Sequence, residues 1–193
     1  LVDKKIKDIL AMKLPVSMIC PSHGIIWRHE PLQIVETYAK WANDYQENQI
    51  TIIYDTMWNG TRRMAEAIAQ GIAQADPAVT VKLYNSARSD KTNIIAEVFR
   101  SKAILVGSPT VNRGVLSSVA GIMEEIKGLG FKNKKAASFG AYGWSGESAK
   151  VIGEMLQGSG FNVVGDGLRE LWYPGEEGLT NCVNFGREFV AKL

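Results

Sequence analysis

The sequence predicts an α/β fold: a doubly wound, parallel five-stranded sheet in the order 2-1-3-4-5, preceded by a short N-terminal appendage. Three observations point there. From residue 49 onward, strand-sized apolar runs alternate with longer amphipathic stretches, which demands right-handed crossovers and a parallel sheet covered on both faces. The run from Ala103 to Gly107 shows no apolar/polar alternation, as a strand buried on both sides should not. The loops after the first, third and fourth of these strands carry unusual chemistry, and a 2-1-3-4-5 order brings those three together at the carboxyl edge of the sheet.

The appendage comes first. Ile6, Ile9 and Leu10 lie among lysines and aspartates over residues 2–12 and predict an amphipathic helix. Residues 14–19 predict a strand and residues 20–24 a turn. Over residues 31–42, Leu32, Ile34, Val35, Tyr38 and Trp41 recur at helical spacing, with Pro31 suited to the first turn. The polar residues 43–49 form the clearest boundary, dividing the chain into residues 1–46 and 47–193. The first part has no complete core of its own and reads as the tail of something larger.

Beyond the boundary, strands are expected over residues 49–54, 79–83, 103–107, 135–139 and 161–164. The intervening helices fall over 61–73, 91–99, 115–129 and 147–158, with a last one over 176–190. With 193 residues, 46% of them hydrophobic, the chain can bury one substantial core. The formal net charge of +2 comes from 22 basic and 20 acidic residues in mixture, without the basic patch that nucleic acid requires. No apolar run approaches the ~20 residues of a membrane span. Cys20 and Cys182 form no CxxC pattern and are expected to be two buried thiols of a cytosolic protein.

The first loop, residues 55–61, places Thr56 and Thr61 at its ends, Met57, Trp58 and Asn59 between them, and Gly60 where the next helix begins. Exposed amides of a helix start with two hydroxyls make a receptor for a terminal phosphate, and Arg62 and Arg63 could add charge or simply face solvent. Neither GxxxxGK[ST] nor GxGxxG is present, which disfavours a triphosphate and a dinucleotide. The second loop offers Ser108, Thr110 and Asn112 as alternating donors and acceptors, with Pro109 and Val111 between, and can present backbone amides to the edge of a flat ring. In the third, Gly140, Ala141, Tyr142, Gly143, Trp144, Ser145 and Gly146, three glycines allow tight curvature around two aromatics. Each loop alone has an ordinary reading, as a turn, a helix cap or a plain connection. Together they favour a pocket for a flavin, whose flat ring gains from aromatic contact with Trp58 and Trp144.

The segments from Asp55 to Trp58 with Gly60 and Thr61, from Gly107 to Asn112, and from Phe139 to Gly146 resemble the C-terminal, flavodoxin-like part of the flavodiiron proteins, also called A-type flavoproteins. The resemblance spans essentially the whole chain. Upstream, the segment from Cys20 to Arg28 resembles the last metal-ligand loop of that family's metallo-β-lactamase-like domain. The resemblance implies FMN as cofactor, with no catalytic side chain in this chain. It implies His23 as a ligand of a diiron centre, in the full-length parent only, that reduces oxygen or nitric oxide. It further implies electrons from rubredoxin or a rubredoxin-like domain, the diiron domain of the same protein as acceptor, and a head-to-tail homodimer in the cytoplasm, with neither nucleic acid nor membrane as partner. The chain departs from the family in lacking the other metal ligands: its only histidines are His23 and His29, so it cannot assemble the diiron centre alone. It therefore reads as part of a longer protein. Rival readings are a free-standing flavodoxin-like carrier or quinone reductase, which leaves residues 2–41 unexplained, a response-regulator-like module with Asp55 as phosphoacceptor, which leaves Tyr142 to Trp144 without a role, and a flavin-free dimerisation module.

Overall fold

A computed structural model describes all of residues 1–193. It divides into two compact units, residues 1–45 and 46–193.

The first unit holds helices α1 (Val2–Ala11) and α2 (Leu32–Trp41). Asp3 is paired with Lys7 at 2.7 Å and accepts a hydrogen bond from Asn43 at 3.4 Å, which ties the two helices together. The strand expected over residues 14–19 does not form. Ile19 makes only an isolated antiparallel bridge with Trp27, because the intervening Pro21 and Gly24 turn the chain before a ladder can extend. No residue of this unit is buried. Its apolar side chains, among them Ile6, Ile9, Ile34, Val35, Tyr38 and Trp41, line an open groove of about 480 Å³ instead.

The second unit follows the expected order. Strands β1 (Glu47–Tyr54), β2 (Thr80–Asn85), β3 (Ser101–Gly107) and β4 (Lys135–Tyr142) alternate with helices α3 (Gly60–Ala75), α4 (Lys91–Arg100) and α5 (Ser117–Leu129). After α6 (Glu147–Gly158) come β5 (Asn162–Val163), β6 (Leu168–Leu171) and α7 (Glu176–Ala191). The sheet runs β2-β1-β3-β4-β5, all parallel, as predicted. Its fifth position differs from the expectation: β5 pairs with Lys135 and Ala136 of β4, and β6 with Phe139 to Tyr142, so one edge strand is made in two pieces. Gly165 and Gly167, both in the left-handed region, break the strand between them. Beyond residue 164 the glycines and the charged Arg169 and Glu170 interrupt any apolar run that would mark the second piece as strand.

Side chains alternate across the sheet with period two. Ile50 and Ile52 of β1, Leu105 of β3 and Phe139 of β4 pack beneath α3 and α7, beside Met64, Ile68, Ile72 and Phe189. Ile53, Ile104, Val106 and Ala136 face the other way, onto Ile94, Val98, Ile122, Met123 and Ile152 of α4, α5 and α6. At the amino ends of the strands the core is polar and closed on itself. Thr51 Oγ1 lies 2.8 Å from Ser101 Oγ, Gln49 donates to Ser101 Oγ and Glu97, and the buried Lys134 ammonium donates to the carbonyls of Phe99 and Ser101. No helix is long and apolar enough to cross a membrane.

Helices α3 and α7 meet through glycines. A Cβ on Gly71 would stand 2.0 Å from the Val183 carbonyl oxygen, and one on Gly186 2.3 Å from that of Ile68. Backbone cannot yield as a flexible side chain can, so Gly71→Ala should destabilise the chain by about 1–3 kcal/mol in urea denaturation; an unchanged midpoint would show that the helices separate freely. Cys182 lies in this same contact, fully buried, and burial pushes its thiol up to about 12. A folded-state value above the ordinary one favours the neutral thiol. The stabilisation is complete below the ordinary thiol range and is lost as pH rises toward about 12. Cys20, expected to be buried, is exposed. At pH 8 iodoacetamide should therefore modify Cys20 alone, with Cys182 labelled only after denaturation, as read by peptide mass spectrometry.

Candidate functional site

Because all the strands are parallel, the carboxyl ends of β1, β3, β4 and β6 lie along one edge. Their hydrogen-bond ladder continues past the strands. Asp55 N–H donates to the Gly107 carbonyl (3.1 Å), Ser108 to Phe139 (3.2 Å), Thr110 to Ala141 (3.0 Å) and Trp172 to Tyr142 (2.6 Å). Each loop of the site is thus fixed to its neighbour before it departs from the sheet.

In the first loop the buried Asp55 carboxylate organises the turn. It accepts from the Thr56 N–H at 2.7 Å and from Ser118 Oγ at 2.5 Å, and Ser86 Oγ donates to Ser118 at 3.0 Å. Asn59 adopts the left-handed conformation and Gly60 opens α3. The Thr56 and Thr61 hydroxyls are buried without any hydrogen-bond partner. Two such groups, beside the unsatisfied amides of a 16-residue helix, are costly to bury unless an anion with several acceptor oxygens completes them. No basic side chain joins them. Arg62 pairs with Glu66 at 2.8 Å, while Arg63 lies over the Tyr173 ring at 4.6 Å and donates to the Pro174 carbonyl.

The hydroxyls of the second loop do not serve as offered. Ser108 is fully buried, accepting from the Leu116 N–H and donating to the Pro109 carbonyl. Thr110 Oγ1 donates to Ser148 Oγ and accepts from the Ser148 N–H. These bonds shape the loop and dock it on α6. Asn112, with Arg113, forms the tip of a tight turn closed by Val111 and Gly114, both tip residues having positive φ. In the third loop Gly140 is a packing residue, since a Cβ there would stand 2.1 Å from the Ser108 carbonyl oxygen. Ser145 donates to Glu147, which holds that exposed carboxyl below its usual range, and Gly146 caps α6 in the left-handed region.

What the loops enclose is a cleft of about 480 Å³, within the range of small-molecule sites. Of the predicted residues, Thr56, Met57, Trp58, Gly60, Thr61, Pro109, Thr110, Ala141, Tyr142, Gly143 and Trp144 line it. Asn59, Ser108, Val111, Asn112, Gly140, Ser145 and Gly146 do not, and act on its frame. Trp172 and Tyr173 line it as well, and sequence reasoning missed both; the aromatic pair ahead of Pro174 and Gly175 was the available signal. No charged side chain faces the cleft. Trp58 and Trp144 are 83% and 88% exposed at its rim, where neither contributes to the core. His23 is exposed in the first unit, and no group of three or more His, Cys, Asp or Glu residues is placed to hold a metal.

The cleft is aromatic and free of charged side chains, and it ends at the start of α3 beside the unpartnered Thr56 and Thr61 hydroxyls. The flavodoxin family profile matches residues 52–186. Anaerobic nitric oxide reductase flavorubredoxin of Escherichia coli (strain K12 / DH10B) is 52% identical over 190 residues, covering 98% of this chain and 40% of that protein. Rubredoxin oxygen:oxidoreductase from the anaerobe Desulfovibrio gigas superposes with a TM-score of 0.91 at 32% identity, covering 99% of this chain and 48% of that one. A flavodoxin from the domain Archaea superposes with a TM-score of 0.68 at 30% identity, over 75% of this chain and 97% of its own. The chain belongs to the flavodoxin family, and its flavodoxin-like unit is of the kind carried by flavodiiron proteins. It spans less than half the length of the flavodiiron relatives. A flavodoxin domain implies FMN, and the two orphaned hydroxyls fit that cofactor's phosphate.

Removing the Ser118 hydroxyl would leave a buried carboxylate oxygen of Asp55 unbonded. Ser118→Ala should therefore cost about 1–3 kcal/mol of stability, read from thermal unfolding.

Proposed function

We propose that residues 47–193 bind FMN and act as the electron-transfer domain of a flavodiiron oxygen or nitric oxide reductase. The observation that carries this reading is the pair of buried, unpartnered hydroxyls of Thr56 and Thr61 at the start of α3, next to an aromatic cleft without charge. Those hydroxyls and the amides of Gly60 and Thr61 hold the phosphate. Trp58, Trp144 and Tyr142 give the ring apolar contact, and backbone of Pro109, Thr110 and Gly143 offers polar groups to its edges. When bound, FMN supplies electron transfer in steps of one or two. The chain's own residues bind and orient it and keep charged groups away from the ring.

Residues 1–46 are, in this reading, the closing segment of a metallo-β-lactamase-like domain. A unit in which nothing is buried and apolar side chains line an open groove needs more chain to cover it. His23 of that segment is a ligand of the diiron centre in the whole protein. Electrons arrive from rubredoxin or a rubredoxin-like domain and leave for the diiron site, with a head-to-tail homodimer bringing flavin and iron together in the cytoplasm. The flavorubredoxin and rubredoxin oxygen:oxidoreductase relatives support the rubredoxin-type donor and the reductase role.

Titration of the flavin-free chain with FMN and with riboflavin, followed by flavin fluorescence, tests the reading. FMN should bind the more tightly, and Thr61→Val should weaken FMN by about 10- to 100-fold while leaving riboflavin unchanged. A chain that takes up neither flavin would overturn the assignment.

A further inference from the structure

The loop that follows β6 supplies a fourth wall to the cleft. It begins where the Trp172 N–H extends the ladder to the Tyr142 carbonyl, and there the chain turns sharply, with Trp172 at φ +56°. That left-handed conformation is disfavoured for a bulky residue and persists only where its surroundings hold it. The surroundings are visible. The Trp172 carbonyl oxygen and the Pro174 ring close over Gly60, where a Cβ would stand 3.3 Å and 3.7 Å from them. The indole lies against Gly143, where a Cβ would stand 3.2 Å from its carbons. One residue further, Tyr173 sits under the Arg63 guanidinium, and Arg63 also donates to the Pro174 carbonyl at 3.3 Å. The loop is therefore clamped to the phosphate-type loop on one side and to the glycine loop on the other.

Despite this fixing, Trp172 is 61% exposed and lines the cleft. Its ring centre is 5.6 Å from that of Trp144, with the planes inclined at 59°. Folding thus places a strained backbone and a large aromatic surface at the mouth of a ligand cleft, without burying that surface in the core. Two inclined indoles present an apolar angle to whatever flat group enters, and contact with an aromatic ring is worth a sizeable share of a flat ligand's affinity.

We propose that Trp172 is a flavin-binding residue, contacting the ring system of the cofactor rather than its phosphate, so that the site is built by four loops. This rests on the reading of the cleft as an FMN site. Because the contact is to the ring, it belongs equally to FMN and to riboflavin, whereas a residue acting through the phosphate loop affects FMN alone. The Arg63–Tyr173 contact and the Arg63 bond to Pro174 hold the segment that follows the indole.

The test measures dissociation constants of the flavin-free 193-residue chain for FMN and riboflavin in the parent, in Trp172→Leu and in Trp172→Phe. Trp172→Leu should weaken both flavins by about tenfold and to the same extent, and Trp172→Phe, which keeps an aromatic ring, should recover binding to within about threefold of the parent. Far-UV circular dichroism and the melting temperature show that each variant is folded; if the leucine variant is not, Trp172→Met takes its place. In that case an equal loss of about tenfold for both flavins in the methionine variant supports the proposal, and unchanged affinities or a loss confined to FMN overturn it. Unchanged affinities in the leucine variant, or a loss confined to FMN, overturn the proposal while the flavin reading stands. A parent chain that binds neither flavin overturns the reading beneath it.

Discussion

The parallel ladder through β1, β3 and β4 does not stop where the strands stop, and the whole site hangs from that continuation. Asp55, Ser108, Thr110 and Trp172 each donate one more backbone hydrogen bond to the neighbouring strand or loop as their own segment leaves the sheet. Their positions relative to one another are thus set by strand spacing rather than by loop chemistry. Register does the rest: Tyr54 lies opposite Gly107, and Gly107 opposite Phe139, so the loops depart from one level. Glycine is needed at Gly107 because a Cβ there would stand 2.3 Å from ring carbons of the fully buried Phe139 on the neighbouring strand.

Much of this was legible in the residues. The alternation of apolar runs and amphipathic stretches located every helix of the second unit and the first four strands, because burial on two faces leaves a signal that few other arrangements produce. The first loop was legible only in part: threonines flanking a glycine at a helix start suit an anion, and equally an ordinary turn with a helix cap. Side-chain direction was not legible. Ser108 and Thr110 look like Thr56 and Thr61 on paper, yet the former two are satisfied by Leu116, Pro109 and Ser148, and the latter two are left bare. Which hydroxyl faces a ligand depends on contacts between segments far apart in the chain. Cys20 was misjudged in the same way, since its exposure follows from the want of a core in its own unit.

The two units illustrate what a core requires. In residues 46–193 the sheet is covered on both sides, and thirteen and sixteen residues of two buried clusters share the work. In residues 1–45 two amphipathic helices and a single bridge leave every apolar side chain at least partly in water. Amphipathicity makes a helix; only a partner for its apolar face makes a domain.

The break in the fifth strand has a consequence apart from the cleft. A sheet's outermost strand offers a row of unpaired N–H and C=O groups, on which a neighbouring chain can add a strand of its own. Here that row is cut into segments of two and four residues by a kink at Gly165 and Gly167, and Arg169 and Glu170 charge the longer piece. That edge keeps no straight template for strand addition, which leaves β2 (Thr80–Asn85) at the opposite end as the one continuous outer strand of the sheet.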